Sequence, residues 1–489
     1  MPRVRWLHTA AVVTVSAVVI SMAPPHGVAA PDGPPPPPNP PSPTASCNAI
    51  SPVAFPCVGV GKFADAAAAE CRRVGIPDQK CVLPLAHKVT QAARDAYLQS
   101  WVHRAAAFQY ALGDSLPFRE TEWIGTHNSF NSLAHEFTIS HADSNQQLSL
   151  AQQLDIDVRS LELDLHFMPR IERLGAPGVT VCHGLSAQVG NLGCTVEPVL
   201  ATVLPEIANW LNTPANSDQV LLILVDNLMT DGQGDAQAVA TLERALRRPD
   251  GSSLIYHPDL GLRAANGCVP FPLDDSRANV RATGARVVLV SSCVTAWAGT
   301  VFDWAGQEVQ SGSTSGYQPY PACDATYPPS VYGSSVVRYF EDSTFVSALL
   351  NPTRPPNNPA ALTPIKVQSM TNCGVNLFGL DQLLPEDGRI QATLWSWAPD
   401  EPRAGAGNCT LQGPDSRWVA AQCGDSHPAA CQDGSGTWTV TPAVVTFAAA
   451  AAACAALGSS FALPRTGDQN SRLHAVAEAV GGAWVAYTF

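Results

Sequence analysis

The sequence predicts an α/β fold: a TIM-type (β/α)8 barrel, distorted in outline, with a small disulfide-containing C-terminal module. Three observations predict it. Short strand-like apolar runs recur between about residues 120 and 400, several of them separated by helix-like stretches. Their interiors are apolar throughout, as in parallel strands covered on both faces. Polar residues gather where consecutive runs end, the side on which barrels of this type place their sites. An open doubly wound sheet is the alternative arrangement.

Taken in order, the chain of 489 residues begins with Arg3 and Arg5, an apolar run from Ala10 to Met22 and a small-residue Val28-Ala29-Ala30. This pattern predicts a signal peptide over 1–30, because the run is shorter than the ~20 residues of a membrane-spanning helix. Residues 31–46, with Pro34 to Pro38 unbroken, read as an extended tether. Residues 47–119 form a cysteine-containing extension ending in a helix over 89–112, where Ala93, Tyr97, Trp101, Ala105 and Phe108 recur at helical spacing. The barrel is expected over 120–402, with strands at 122–125, 160–165, 179–182, 220–225, 286–291, 336–340, 365–369 and 391–396. Helices are expected at 145–155, 196–212 and 235–248. Residues 403–489 form the module, with an alanine-rich helix at 448–457.

Export and the 14 cysteines agree, since disulfides persist outside the reducing cytosol. Spacing suggests local pairs such as Cys182 with Cys194 and Cys431 with Cys454, and the absence of any Cys-x-x-Cys pair argues against a zinc ribbon. The formal charge is −13; losing Arg3 and Arg5 with the leader leaves 26 basic against 41 acidic side chains, or −15. That balance excludes nucleic acid as a partner and disfavours simple docking on anionic lipid. A bound cation still allows an acidic protein to act on phosphate.

Four polar clusters carry the candidate chemistry. Glu162 and Asp164 lie two apart in a strand, so both carboxylates face one way. Like charges that close raise one another's pKa unless a cation lies between them. Asn128 and Asp226 complete an all-oxygen set of the kind Ca²⁺ or Mg²⁺ prefers. His127 and His183 are left for proton transfer or for donating to a developing anion. Singly, each has an ordinary explanation: a strand-end histidine as a hydrogen bonder, Glu162 and Asp164 as partners of Arg159 or Arg170, Asp226 as a helix cap. Their joint placement at strand ends is the stronger signal.

These residues resemble a known family. Gly125-Thr126-His127-Asn128-Ser129-Phe130, Asn145-Gln146-Gln147 leading into Arg159-Ser160-Leu161-Glu162-Leu163-Asp164, Cys182-His183-Gly184 and Leu224-Val225-Asp226-Asn227 are similar to the X-region of phosphatidylinositol-specific phospholipase C. The runs Val367-Gln368-Ser369 and Leu394-Trp395-Ser396-Trp397-Ala398 resemble the last barrel strands of its secreted members. The resemblance covers about residues 120–400 and implies a distorted barrel in which a neighbouring hydroxyl attacks phosphorus. It implies catalytic roles for His127, His183 and Glu162, with Asn128, Glu162, Asp164 and Asp226 as Ca²⁺ ligands. In the metal-independent branch an arginine stands where this chain has Asp164, so the calcium type is implied. Asp226 departs from the pattern, since the best-known eukaryotic members carry glutamate there.

The implied substrate is a phospholipid with an inositol phosphodiester, met in transient contact with a membrane surface outside the cell. With only four lysines, Lys62, Lys80, Lys88 and Lys366, a multiply phosphorylated headgroup is disfavoured. Arg159 and Arg338 are candidate phosphate contacts, and Trp395 and Trp397 share a face that offers an apolar pocket wall. The tail, from Arg417-Trp418 through Cys431 and Cys454 to Trp484-Val485, resembles the first half of a C-type-lectin-like domain, which suggests attachment to a glycan or surface. Two rival readings follow: an inactive secreted binding or adhesion protein, and a glycerophosphodiester phosphodiesterase, whose expected acidic residue beside the first histidine is missing from Asn128-Ser129-Phe130.

Overall fold

The computed structural model describes residues 89–132, 134, 144–169, 175–184, 191, 194, 199–230, 232–323, 331–341, 362–385 and 387–489. The expected signal peptide, the tether, the first four cysteines and Arg170 lie outside the described residues.

The main sheet is built from eight parallel strands. They are β1 (Trp123–Thr126), β2 (Ser160–Pro169), β4 (Leu221–Asn227), β5 (Val287–Ser291), β6 (Phe302–Asp303), β7 (Glu308–Ser311), β8 (Val336–Phe340) and β9 (Leu377–Leu380). Neighbours run β6-β5-β4-β2-β1-β9-β8-β7. Chain order is thus kept around a curled sheet, as in a barrel, with no ladder between β6 and β7 among the described residues. The ninth strand, β3 (Pro177–Val181), pairs antiparallel with β2 as a hairpin return, with Val181 opposite Leu165.

Period-two geometry explains the two layers of core. On β2, Leu161, Leu163 and Leu165 face outward and are fully buried under the helices with Ile223, Val225 and Leu289. Val220, Leu222 and Leu224, with Trp123, Val288, Phe302 and Leu377, fill a separate inner cluster. Ser160, Glu162 and Asp164 face inward on β2, so its interior face is polar there, whereas its outer face carries Leu161, Leu163, Leu165 and Phe167.

Six expected strands are present, although 179–182 belongs to the hairpin. Residues 365–369 are instead helical, within α7 (Pro364–Asn372), where the Thr363 hydroxyl accepts from Lys366 N and proline occupies the first turn. Residues 391–396 follow the same correction: the short helix α8 (Gly388–Ala392), capped by Asp387, takes their start. The last barrel strand is β9, whose Gly379 interrupts a run of only four residues. The N-terminal helix is two, α1 (Gln91–Leu98) and α2 (Trp101–Leu112), divided where Ser100 caps the second. Between β1 and α7 lie α3 (Leu150–Asp155), α4 (Leu200–Leu211), α5 (Gly232–Ala245) and α6 (Arg277–Ala282).

Beyond Pro402 stand two three-stranded sheets, β11-β10-β15 and β13-β12-β14, where β10 is Cys409–Gln412, β11 Trp418–Ala421, β12 Ala430–Gln432, β13 Trp438–Val440, β14 Ser460–Phe461 and β15 Ala483–Thr488. Two helices, α9 (Phe447–Ala455) and α10 (Gly467–Ala477), accompany them. Cys409–Cys423 and Cys431–Cys454 bridge this region; Cys182–Cys194, Cys268–Cys293 and Cys323–Cys373 bridge the barrel. Both expected local pairs, Cys182–Cys194 and Cys431–Cys454, are therefore present.

Candidate active site

A cavity of about 400 Å³ opens at the C-terminal ends of the strands and is lined by His127, His183, Asn128, Glu162, Asp164 and Asp226 among others. Strand geometry delivers each of them. His127 and Asn128 follow β1 directly, and Asn128 takes φ 44°, a left-handed turn that asparagine tolerates. Glu162 and Asp164 project from β2, and Asp164 stands in register with Asp226 of β4. The hairpin brings His183 back, because Cys182 N donates to Asp164 O at 3.2 Å and the Cys182–Cys194 bridge anchors the return.

The two histidines are joined by a chain of side chains that sequence reasoning did not assign. His127 Nδ1 lies 3.2 Å from Asp381 Oδ1. Asn145 Nδ2 donates to the same Asp381 oxygen at 3.0 Å, and Asn131 Nδ2 donates to Asn145 Oδ1 at 2.7 Å. Asn131 Nδ2 also lies 3.3 Å from His183 Nδ1. With asparagine donating, His183 accepts at Nδ1 and carries its proton on Nε2. Asp381 is fully buried just after β9 and is held by its own N–H on Glu341 Oε2 at 2.8 Å and by Arg389 Nη2 on its carbonyl at 2.8 Å. Gln146 fixes the His127 backbone by donating to its carbonyl at 2.7 Å.

Electrostatics divide the site as the chemistry suggests. Burial works against a charged imidazole at His127, but Asp381 and Glu162 outweigh it and raise the pKa to about 9. Asp164 is pushed well above the usual carboxylate range by burial and then by Glu162 and Asp226. Asp226 is raised by burial and Glu162. Three carboxylates thus crowd one another in a partly dry pocket. The Asn128 amide faces them: turned with nitrogen inward it donates to both Asp164 oxygens, at 2.8 and 3.3 Å, and turned with oxygen inward it adds a neutral oxygen from a fourth side chain. Two buried carboxylates, Glu162 and Asp164, beside the exposed carboxylate of Asp226 and an adaptable amide fit a hard divalent cation. Arg338 also enters this group, donating to Glu162 Oε2 at 2.6 Å.

Three expected contacts fall elsewhere. Arg159 precedes β2 and so lies at the strands' N-terminal ends, lining a different cavity of about 540 Å³ with Tyr110, Trp210 and Arg277. There it donates to Gln219 Oε1 and to the Leu154 and Val158 carbonyls, each at 2.8 Å. That cavity is larger than the one at the strand C-termini, but it gathers none of the residues of the histidine–carboxylate cluster. Trp395 and Trp397 are not a pocket wall: both are buried in a cluster with Trp418 and Trp438. Edge-to-face contacts with Trp418 at 5.6 and 6.0 Å hold them there.

Residues 82–387 match the family model described as the Rv2075c PI-PLC-like domain. The chain is 67% identical over 487 residues to Rv2075c of Mycobacterium tuberculosis (strain ATCC 25618 / H37Rv), covering 100% of this chain and 99% of that one. It has the same identity and coverage with MT2135 of the CDC 1551 / Oshkosh strain. Among solved structures, the phosphatidylinositol-specific phospholipase C from Listeria monocytogenes is 14% identical with a TM-score of 0.38, covering 59% of this chain and 98% of that one. A calcium-dependent phosphoinositol-specific phospholipase C from Pseudomonas sp is 13% identical with a TM-score of 0.27, covering 56% and 91%.

Proposed function

The chain belongs to the Rv2075c PI-PLC-like domain family, and from that premise we propose that it is a secreted, Ca²⁺-assisted phosphodiesterase that cleaves phosphatidylinositol-type lipids. One observation carries the reading: His127 and His183 line the same cavity as Asn128, Glu162, Asp164 and Asp226. Two proton-handling groups beside an all-oxygen cluster suit in-line displacement at phosphorus.

In this reading the inositol 2-hydroxyl attacks phosphorus and gives its proton to Glu162. His127, charged at neutral pH through Asp381, donates to a phosphoryl oxygen as charge builds there. His183, in its imidazolium form, protonates the departing glycerol oxygen from Nε2 and is left as the neutral ring. The products are diacylglycerol and a cyclic inositol phosphate. Asn128, Glu162, Asp164 and Asp226 would hold Ca²⁺, which when bound neutralises charge on the phosphoryl oxygens and acidifies the attacking hydroxyl. The scarcity of lysine favours an inositol without further phosphates. No helix among the described residues is long and apolar enough to cross a membrane, and export is supported by the leader pattern and the disulfides.

The test is release of water-soluble inositol phosphate from phosphatidylinositol vesicles by the purified protein. Activity is expected with Ca²⁺, is lost with chelator and returns on re-addition. His127→Ala and His183→Ala should each lower kcat by about 10²-fold or more. Variants that cleave as fast as the parent would sink the assignment, and glycan or surface binding without turnover would favour a binding protein.

A further inference from the structure

The site already contains a cation of its own. Arg338 on β8 is 4% exposed and both arms of its guanidinium are engaged: Nη2 donates to Glu162 Oε2 at 2.6 Å and Nη1 to Gln310 Oε1 at 2.8 Å. Gln310 is its register partner on β7. The guanidinium lies 4.6 Å from the centre of the Phe340 ring, two residues along the same strand. Room for the arm comes from Gly379, where a Cβ would stand 3.3 Å from Nη2 and 2.9 Å from Phe340 Cβ. Two hydrogen bonds, an aromatic face and a missing side chain therefore hold this arginine on the acid that is also a proposed cation ligand.

A guanidinium bound to Glu162 neutralises part of the negative charge that attracts a divalent ion and repels that ion across a short distance. Glu162 then has two competing partners. We propose that Arg338 is a built-in competitor for the cation site, so that Ca²⁺ must open or share the Arg338–Glu162 pair, and the pair sets the affinity. The inference rests on the reading of Asn128, Glu162, Asp164 and Asp226 as that site. It places Ca²⁺ binding in the weak range of extracellular modules, with Kd of about 10⁻⁴–10⁻³ M, so that the site fills outside the cell and stays empty in cytosol. The same pair keeps Glu162 from standing uncompensated when no divalent ion is present.

Calorimetric titration of CaCl₂ into the purified full chain, without substrate, tests this on the parent, Arg338→Met, Arg338→Lys and Asp164→Asn. Arg338→Met should bind Ca²⁺ at least ~10-fold more tightly than the parent. Arg338→Lys keeps the charge and loses the two-armed fork, so it should fall between them. Asp164→Asn should weaken binding in both the parent and the Arg338→Met background. Equal or weaker binding by Arg338→Met overturns the competition; if Asp164→Asn still abolishes that binding, the cation site itself stands. No binding by the parent or by Arg338→Met overturns both. If circular dichroism shows Arg338→Met unfolded, Arg338→Lys decides by the same comparison: tighter than the parent supports the proposal, equal or weaker overturns it.

Discussion

At the scale of single residues, the candidate site depends on Asp381 as much as on the histidines. Its carboxylate orients His127 and, with Glu162, keeps that ring charged against the cost of burial. Asp381→Asn preserves shape and removes the charge, so it should lower kcat by roughly 10²–10⁴-fold with little change in KM; a variant that changes KM alone would make Asp381 a substrate contact rather than a positioning residue. Its signal was in the sequence. Leu377–Leu380 followed by Asp381 repeats the pattern of an apolar run closed by an acid that exposes Asp226, but four residues interrupted by glycine pass for a loop. Arg159 shows the converse. It stands before its strand, and in a parallel barrel that position alone assigns it to the rim opposite the site.

At the scale of elements, the front half of the barrel was legible because β1, β2, β4 and β5 are apolar runs with polar ends. In the back half β8 was legible, as a strand expected at 336–340, whereas β6, β7 and β9 were not. Residues 365–369 are apolar enough for a strand, yet Thr363 and Pro364 are helix-start signals, and the helix forms. The hairpin β2–β3 was hidden because a short run carries no mark of its direction. The Trp395-Ser396-Trp397 segment reads as a strand by alternation, but its indoles serve the joint between barrel and C-terminal region. That joint holds a titratable group: Glu122 accepts from Gly467 N at 2.6 Å and from Trp395 Nε1 at 2.7 Å, and burial raises its pKa from 4.5 to about 7. Because the folded pKa lies above the unfolded one, the folded state holds the proton more tightly. The associated stability is fully present below about pH 4.5 and is lost as pH rises through about 7. Urea unfolding should show the parent losing on the order of 3 kcal/mol relative to Glu122→Gln across that window. Parallel pH profiles for the two proteins would remove Glu122 from the account.

At the scale of the whole molecule, the barrel has two ends with different tasks. The strand C-termini gather the histidines and carboxylates. The N-terminal ends meet α2, the tryptophan cluster and the C-terminal region, where Asn470 Nδ2 donates to the Trp395 carbonyl at 3.1 Å and Trp418 Nε1 donates to Asn470 Oδ1 at 2.9 Å. The C-terminal region thus braces the end away from the site. The architecture was predictable from runs and their polar ends, whereas the lack of a β6–β7 ladder among the described residues was not, since both strands are too short to stand out. The central claim is that the gathered groups drive attack by the inositol hydroxyl on its own phosphodiester. The most direct measurement is ³¹P NMR of phosphatidylinositol vesicles incubated with the protein and Ca²⁺. The account predicts a five-membered cyclic phosphate as the first product, absent with His127→Ala; an acyclic inositol monophosphate as the first product, or unchanged lipid, would contradict it.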